Sequence, residues 1–338
     1  SKKIGFINEI KQPEVLFTKD STILYLYLKK KQNNSFDGII NFSSKENGKL
    51  LFNGNLDLKL TNILNRGGKL NLFWNSLREE SQEFKISTKI PYLLNSKLSP
   101  EISFSIYKQD STFLNTSFNT KLYYDLNSKL NFALTYNTES SEKLEKKVNN
   151  IETYNNYFLG FEINYRVYNN NIFKNDKFLF NLNPTIGKRK TELKTTNQFK
   201  IKANISYIWD INYKNSIFIK NQTGYLNSDN LISNELFRIG GANSIRGFNE
   251  QSIFTNKFTY FNLEYRYLTS NKSYLYTVTD FGNLENNSKQ EKIFSLGLGY
   301  LILIKESKIN ISFITGKSAS QNLNSKDTRL AINLNVNF

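Results

Sequence analysis

The chain of 338 residues contains no cysteine, no histidine and no methionine. Without cysteine, it has no disulfide framework, no thiolate metal site and no thiol nucleophile. Without histidine, it lacks the usual general base of enzymes and the commonest metal ligand. The sequence also shows no phosphate-binding loop and no recognisable set of nucleophile, base and acid. We therefore expect a protein that is not an enzyme and has no catalytic residue, metal site or cofactor.

Long apolar runs are also missing. No run of about 18 apolar residues occurs, which excludes a transmembrane helix on length. The strands of a membrane-spanning barrel need only about 9–11 residues, with apolar side chains at alternate positions, so their mean hydropathy is low. The mean hydropathy of -0.50 and the 14% share of aromatic residues fit such a barrel better than a soluble core.

The chain starts at Ser1 and has no methionine at any position. We therefore expect it to be a processed product or a segment of a longer chain, with any signal peptide lost with the missing part. Its length of 338 residues fits either one large domain or two ordinary ones.

The chain is strongly basic, with 45 lysines and arginines against 29 acidic residues and a net charge of +16. Such a charge raises nucleic acid or an anionic membrane surface as partners. The basic residues recur singly in alternating segments such as 199–205, which spreads the charge over one face of many strands. We therefore expect no nucleic-acid partner. Basic clusters at 143–147 and 188–190 fall in predicted long loops, either solvated or against anionic lipid head groups.

Alternation with a period of two residues predicts sixteen strands from residue 35 onward, and almost no stretch shows the period of an amphipathic helix. An even number of strands is typical of bacterial outer-membrane barrels. The predicted strands lie near residues 35–43, 49–61, 67–79, 82–91, 100–108, 111–125, 128–138, 153–168, 176–187, 197–210, 215–226, 257–268, 273–284, 292–305, 307–317 and 328–338.

The connections and faces of these strands also favour a barrel. Short turns such as 125–128 tend to alternate with longer connections such as 138–153, as on the two rims of an outer-membrane barrel. The segment 308–313 alternates Lys, Asn and Ser with Ile, Ile and Phe. The apolar set is predicted to face lipid and the polar set to line a wet lumen. The alternative is a soluble β-sandwich or a lipocalin-like barrel with one polar face outward.

Residues 1–34 do not follow the barrel pattern. Segments 3–10 and 21–30 are predicted to be two antiparallel strands, joined across 11–20 and followed by the polar link 31–34. We interpret residues 1–34 as the end of a small soluble domain and residues 35–338 as the barrel. The alternative is two further barrel strands.

A glycine-rich stretch from Phe237 to Glu250 lies between the eleventh and twelfth predicted strands. Gly240 and Gly241 permit backbone angles that are closed to other residues. Further along, Ser244 to Phe248 reads Ser-Ile-Arg-Gly-Phe.

On these residues the chain resembles the BamA/TamA superfamily of outer-membrane β-barrel assembly and translocation proteins. The loop at 244–248 is similar to the superfamily's Arg-Gly-Phe/Tyr loop motif. The twelfth strand reads Phe-Asn-Leu-Glu-Tyr-Arg at 261–266, where the family carries an inward glutamate. The thirteenth reads Val-Thr-Asp-Phe-Gly at 278–282 and resembles the family's aromatic-x-Asp-x-Gly element, although Val278 replaces the usual aromatic residue.

The resemblance implies an all-β fold, with a sixteen-stranded antiparallel transmembrane β-barrel over 35–338. It also implies that residues 1–34 are the end of the last periplasmic POTRA domain. The barrel would hold a loop that folds into its lumen. The lumen loop anchor is assigned to Arg246, Gly247, Phe248, Glu264, Asp280 and Gly282, with loop glycines at Gly240 and Gly241.

Physical chemistry supports an anchor of this kind. A long loop loses much conformational entropy when it is held in one position. Arg246 offers a planar fork of five donors, which carboxylates at Glu264 and Asp280 would bind from the lumen wall. Alternatively, Arg246 is a solvated loop residue, and Glu264 pairs only with Arg266 or with lumen lysines.

Phe338 ends the last predicted strand, where the resemblance implies a terminal strand signal read by the assembly machinery. An ordinary chain end is the alternative. Strands 35–43 and 328–338 would form the seam of the barrel, and unpaired backbone groups there would template an incoming strand.

The resemblance implies an outer-membrane insertase or translocase in a Gram-negative bacterium. Its partners would be outer-membrane lipids, unfolded β-barrel or secreted client polypeptides, periplasmic chaperones and accessory lipoproteins. Three alternatives remain: a two-partner secretion transporter of the same superfamily, a passive porin-like channel, and a barrel that anchors a lipase-like domain encoded upstream. An organelle of bacterial descent is an alternative location.

Overall fold

The computed structural model describes most of the chain. Some sequence predictions extend beyond the described residues: the start of the strand at 3–10, most of the polar link at 31–34, and one residue of the basic cluster at 143–147. The first residue of the strand at 49–61 and the last three of the strand at 67–79 also lie outside. The described residues are 7–30, 34–44, 50–63, 65–76, 81–145, 147–169, 173, 176–286, 289–305, 307–319 and 328–338.

Within those ranges the chain forms strands and two single-turn 3-10 helices, Leu93–Asn95 and Ser233–Glu235. No helix among the described residues has the length and hydropathy needed to cross a membrane. In chain order the strands are β1 Ile7–Phe17, β2 Thr22–Lys30, β3 Ser35–Ser44, β4 Leu50–Ile63, β5 Gly68–Ser76, β6 Gln82–Lys89, β7 Leu98–Gln109, β8 Phe113–Asp125, β9 Leu130–Lys143, β10 Tyr154–Tyr168, β11 Asp176–Thr191, β12 Thr195–Asp210, β13 Asn215–Ser228, β14 Phe237–Ile239, β15 Ile253–Thr255, β16 Lys257–Ser270, β17 Ser273–Asn286, β18 Lys289–Ile304, β19 Ser307–Ser318 and β20 Arg329–Asn337.

Sixteen of these strands close into one antiparallel barrel, in which β3 to β13 are followed by β16 to β20. This arrangement confirms the predicted fold and strand number. Two small sheets lie outside the barrel ladder: the hairpin of β1 and β2, and the hairpin of β14 and β15. Because the barrel strands alternate in direction, β3 begins at one rim and β13 ends at the opposite rim, which we call the far rim.

Alternation along each strand explains why the barrel forms. In β19, Ser312 is 4% exposed, whereas the next residue, Phe313, is 57% exposed. Successive side chains of a strand point to opposite faces, so one set turns inward and the other covers the outer surface. Outward side chains such as Leu296, Leu298 and Phe313 give the barrel the apolar exterior that lipid requires.

The N-terminal hairpin differs from its prediction. The first strand continues to Phe17, so the expected connection across 11–20 is wrong and the turn is limited to residues 18–21. The pairing of β1 with β2 has irregularities between Glu9 and Lys11 and between Lys11 and Glu14. Pro13 lies in the second irregularity. Because proline donates no hydrogen bond, a strand passes through it only at a bulge or an edge.

The basic cluster at 188–190 also differs from its prediction, since it lies inside β11 and not in a long loop. The turn that follows is short and is closed by a hydrogen bond of 2.9 Å from the Thr191 N–H to the Lys194 carbonyl. Alternation turns Arg189 inward, where its side chain is buried. Similarly, β9 continues to Lys143, so the predicted long connection after it starts later than expected.

The seam between β20 and β3 is the least paired junction of the described barrel. Only two residue pairs form there, Val336 with Phe36 and Asn337 with Ser35. By comparison, β20 makes eight pairs with β19, and β3 makes ten with β4. The Phe338 N–H adds one hydrogen bond of 2.9 Å to the Asn34 carbonyl.

Candidate functional site

The candidate site is built on the segment between β13 and β16, residues 229–256, which we call the lumen loop. It leaves the barrel at the far rim and folds back into the lumen. A small hairpin shapes it, because β14 and β15 pair Phe237 with Thr255 and Ile239 with Ile253. This hairpin leads to a tip at residues 240–252.

Three glycines of the tip have positive φ angles: 109° at Gly240, 99° at Gly241 and 82° at Gly247. A side chain at Gly247 would also collide with the wall, because an added Cβ would lie 2.7 Å from the Gly316 nitrogen. Glycine therefore allows both the turn of the tip and its close approach to β19.

Arg246 reaches two carboxylates on neighbouring strands. Its Nη1 lies 2.5 Å from Oε1 of Glu264 on β16, and its Nη2 lies 2.5 Å from Oδ1 of Asp280 on β17. Its Nε donates to Oδ2 of Asp280 at 2.9 Å, and its backbone N–H donates to the same oxygen at 2.8 Å. The structure thus brings together the three charged residues that sequence analysis had assigned to the anchor. We call this group the mid-barrel anchor, since Glu264 and Asp280 lie near the middle of their strands.

Arg266 shares Glu264 with Arg246. Its Nη2 lies 2.7 Å from Oε2 of Glu264, and its Nε donates to that oxygen at 2.8 Å. The pairing with Arg266 therefore exists alongside the pairing with the loop. Two guanidinium groups and two carboxylates neutralise each other, which makes the burial of four charges tolerable.

The surroundings of Arg246 keep its guanidinium group charged. Burial by itself lowers the pKa of the guanidinium, but the hydrogen bond to Asp280 and the charges of Glu264 and Asp280 raise it above its ordinary value. Removing one partner of a buried ion pair costs about 3–5 kcal/mol, since the other charge is left uncompensated. The mid-barrel anchor is therefore a strong contact.

Backbone contacts extend the anchor beyond the guanidinium. The Arg246 carbonyl accepts a hydrogen bond from the Ser295 hydroxyl on β18. The Ser244 carbonyl accepts one of 2.9 Å from the Asn262 side chain on β16. Lys220 on β13 donates to the Asn243 carbonyl at 3.1 Å. The tip is thus bound to four consecutive strands, β13, β16, β17 and β18.

The wall beside the tip is apolar, in contrast to the uniformly polar lumen that the alternation predicts. Ile245 is 0% exposed and belongs to a buried cluster with inward residues of the barrel. Gly282 makes room for it, because a Cβ there would lie 3.3 Å from the Ile245 side chain. The loop contributes Phe237, Ile239 and Ile245 to this cluster, with Phe248 at its edge, and the wall contributes Phe158, Leu226, Phe258, Tyr260, Leu284 and Ile293.

Sequence reasoning missed two further contacts of the tip and the polar contacts of the turn at Ser233–Glu235. The Gln251 side chain binds Glu83 on β6, and Arg329 on β20 binds the Asn249 side chain. These partners are separated by many residues in the chain, and no local pattern marks them.

Phe338 is not part of this site. It lies at the seam, and the residue is 47% exposed. Its role as a terminal strand signal stays a prediction. Within the described ranges, no group of three or more acidic side chains is arranged to hold a metal ion.

The chain matches a protein-family model over most of its length. The model of a family described as haemolysin secretion/activation protein ShlB/FhaC/HecB matches residues 27–301, which include the whole lumen loop. No curated protein matches the chain.

Several solved structures share the fold. BamA from Haemophilus ducreyi lacking POTRA domains 1-3 is similar, with 14% identity, a TM-score of 0.64, and coverage of 99% of this chain and 76% of that one. CdiB from Acinetobacter baumannii has 14% identity, a TM-score of 0.65, and coverage of 100% and 66%. CdiB from Escherichia coli has 15% identity, a TM-score of 0.63, and coverage of 97% and 67%. The chain thus spans about two thirds to three quarters of their length, and at these identities the similarity establishes the fold alone.

Proposed function

Because the chain belongs to the haemolysin secretion/activation family ShlB/FhaC/HecB, we propose that it exports a dedicated secreted polypeptide as the transporter of a two-partner secretion pair. The chain is an outer-membrane β-barrel of a Gram-negative bacterium. The observation that carries the proposal is the family match over 27–301. The proposal assigns no catalytic step to the chain.

The lumen is the proposed route of the exported polypeptide. The lumen loop occupies part of this route, and Arg246 binds it to β16 and β17. An exported chain in extended form needs room for its side chains, so the tip must leave its position when the polypeptide passes. Arg246 therefore acts as a structural latch of the closed barrel.

The N-terminal hairpin is proposed to receive the client. We assign residues 1–34 to the end of a periplasmic POTRA domain. Apolar side chains along β1 and β2 are exposed, among them Phe17 and Leu24. An unfolded polypeptide pairs with such strands by β-augmentation. Periplasmic chaperones and accessory lipoproteins would deliver it in an unfolded state.

A second candidate function, insertion of β-barrel proteins, is favoured by one specific observation. The seam between β3 and β20 has two residue pairs and so leaves backbone donors and acceptors of both strands without a ladder partner. Such an edge offers a template to the first strand of a client barrel. The family match supports transport more directly than insertion.

Depletion of the protein in its native host distinguishes the two functions. Mass spectrometry would quantify the proteins of the culture medium and the barrels of the outer membrane in the same cells. A transporter of a dedicated polypeptide predicts the loss of one or a few proteins from the medium, with unchanged outer-membrane barrels. A general loss of outer-membrane barrels would instead identify an insertase and contradict the proposal.

A further inference from the structure

The turn at Ser233–Glu235 makes a second set of polar contacts between the lumen loop and the barrel. The side chain of Asn234 donates 2.7 Å hydrogen bonds to the Ser141 hydroxyl on β9 and to the Glu152 carbonyl. Its own carbonyl accepts hydrogen bonds from the side chains of Asn115 on β8, at 2.8 Å, and Tyr154 on β10, at 3.2 Å. Asn234 is thereby bonded through its side chain and its backbone.

Glu235, the next residue, forms a buried ion pair with Arg189. Its Oε1 lies 2.5 Å from Nη1 of Arg189 on β11, and the two side chains are 3% and 0% exposed. Its Oε2 accepts a hydrogen bond of 2.6 Å from Gln198 on β12. Arg189 also donates to the carbonyl of Asn230, in the same loop, at 2.7 Å. A buried pair of this kind is costly to separate, because either charge alone would be stranded.

These contacts lie elsewhere in the barrel than the mid-barrel anchor. They use β8 to β12, whereas Arg246 is bound to β16, β17 and β18. They also lie at the far rim, since Ser141 and Arg189 are close to the ends of β9 and β11. These two sets of contacts thus hold the loop at two depths and on two separate arcs of the wall.

We propose that Asn234 and Glu235 are positioning residues that form a rim anchor of the lumen loop. The tip of the loop leaves the lumen only when the rim anchor and the mid-barrel anchor are both broken. This inference rests on the proposed passage of a polypeptide through the lumen. The segment between the two anchors is short. While one anchor is intact, it keeps the residues of the broken anchor close to their partners on the wall, so their effective concentration is high and the broken anchor re-forms readily. Breaking the mid-barrel anchor alone therefore loosens the tip without releasing it.

Thiol labelling tests this cooperation directly, because the chain contains no cysteine. Ile293→Cys places a probe at a wall position that is 1% exposed and belongs to the cluster formed with the tip. A water-soluble maleimide reaches this probe when the tip departs. The probe would be carried by four backgrounds: unchanged, Arg246→Ala, Asn234→Ala with Glu235→Gln, and all three substitutions combined.

The combined background is expected to label at least about ten-fold faster than either partial one, because recapture by the surviving anchor is lost. Equal labelling of the combined background and Arg246→Ala would overturn the proposal, since the rim anchor would then have no hold on the tip. Glu192→Gln, an exposed residue of the turn after β11, is the matched control and is expected to leave labelling unchanged.

A crosslink between Ser141 and Asn234 tests the same cooperation and leaves the Glu235–Arg189 pair in place, should the combined variant fail to fold. Ser141→Cys and Asn234→Cys, joined by a short cleavable thiol reagent in the Arg246→Ala background, fix the turn to β9. In planar bilayers, the crosslinked protein is expected to show low conductance, and cleavage is expected to raise it several-fold. Equal conductance before and after cleavage would overturn the proposal. Neither assay uses a secreted polypeptide, so failure of the export function would leave both results interpretable.

Discussion

Arg246 binds both carboxylate oxygens of Asp280 through different nitrogens of one guanidinium, with Nη2 2.5 Å from Oδ1 and Nε 2.9 Å from Oδ2. The backbone N–H of Arg246 donates to Asp280 as well, at 2.8 Å. Asp280 therefore fixes the side chain and the main chain of the loop at one point. This geometry depends on the planar shape of the guanidinium as much as on its charge.

The effect of replacing Arg246 is therefore expected to depend on the shape of the new side chain as well as on its charge. Arg246→Ala removes the buried pair and is expected to destabilise docking of the tip by about 3–5 kcal/mol. Arg246→Lys keeps the charge but not the fork, and is expected to restore docking only in part. The rate at which a water-soluble maleimide labels Ile293→Cys in the purified barrel measures the effect, because a loosened tip covers Ile293 less well. Arg66→Ala, in the exposed turn after β4, is the control; equal labelling rates in all four proteins would contradict the anchor.

The two carboxylates are expected to differ in importance. Asp280 accepts side-chain and backbone hydrogen bonds from Arg246, whereas Glu264 is shared with Arg266. Asp280→Asn is thus expected to speed the maleimide labelling of Ile293→Cys more than Glu264→Gln does. The matched control is Glu285→Gln, since the pair of Glu285 with Lys257 is more exposed and spans 3.4 Å. A larger effect of Glu264→Gln would show that the ranking is wrong.

Gly247 is expected to tolerate no side chain. Its φ angle of 82° is strained for alanine, and an added Cβ would lie 2.7 Å from the Gly316 nitrogen and 2.9 Å from its Cα. Gly247→Ala is expected to cost about 1–3 kcal/mol from backbone strain, with the collision in addition. The temperature at which the folded barrel loses its fast migration in a gel would report the change. Gly68→Ala is the control, because its Cβ would meet no atom closer than 3.5 Å; equal shifts would contradict the prediction.

A crosslink across the seam separates transport from insertion. Phe36 and Val336 are paired across β3 and β20, so Phe36→Cys with Val336→Cys places two thiols on neighbouring positions. Export through the lumen is expected to continue at its normal level after crosslinking, whereas strand templating at the seam would stop. The control pair is Phe261→Cys with Phe281→Cys, on neighbouring strands away from the seam. Loss of export from the seam pair alone would contradict a route through the lumen.

The sequence predicts the barrel well because its information is local and repeated. Alternation in segments such as 308–313 is visible residue by residue, and each barrel strand carries the same signal. Within the site, Arg246, Glu264 and Asp280 are assigned by resemblance to a superfamily and by the chemistry of a guanidinium between carboxylates. The structure places these three residues in contact.

The remaining features depend on contacts between distant segments, which no local pattern records. The basic cluster at 188–190 suggests a solvated loop until Arg189 is seen to pair with Glu235 of the lumen loop. The apolar wall around Ile293 makes sense only after Ile245 is placed against it. Likewise, Asn234 carries no signal in a sequence rich in asparagine, because its partner Ser141 is 93 residues away.

The central claim is that the lumen loop must move for a polypeptide to pass, and fixing the loop to the wall tests it most directly. Ser244→Cys and Asn262→Cys join the tip to β16 through a short cleavable crosslinker, at a point where the Ser244 carbonyl already accepts a 2.9 Å hydrogen bond from Asn262. Each single cysteine serves as a control. Export of the secreted partner is predicted to stop on crosslinking and to recover on cleavage; export that continues unchanged with the loop fixed in the lumen would contradict the account.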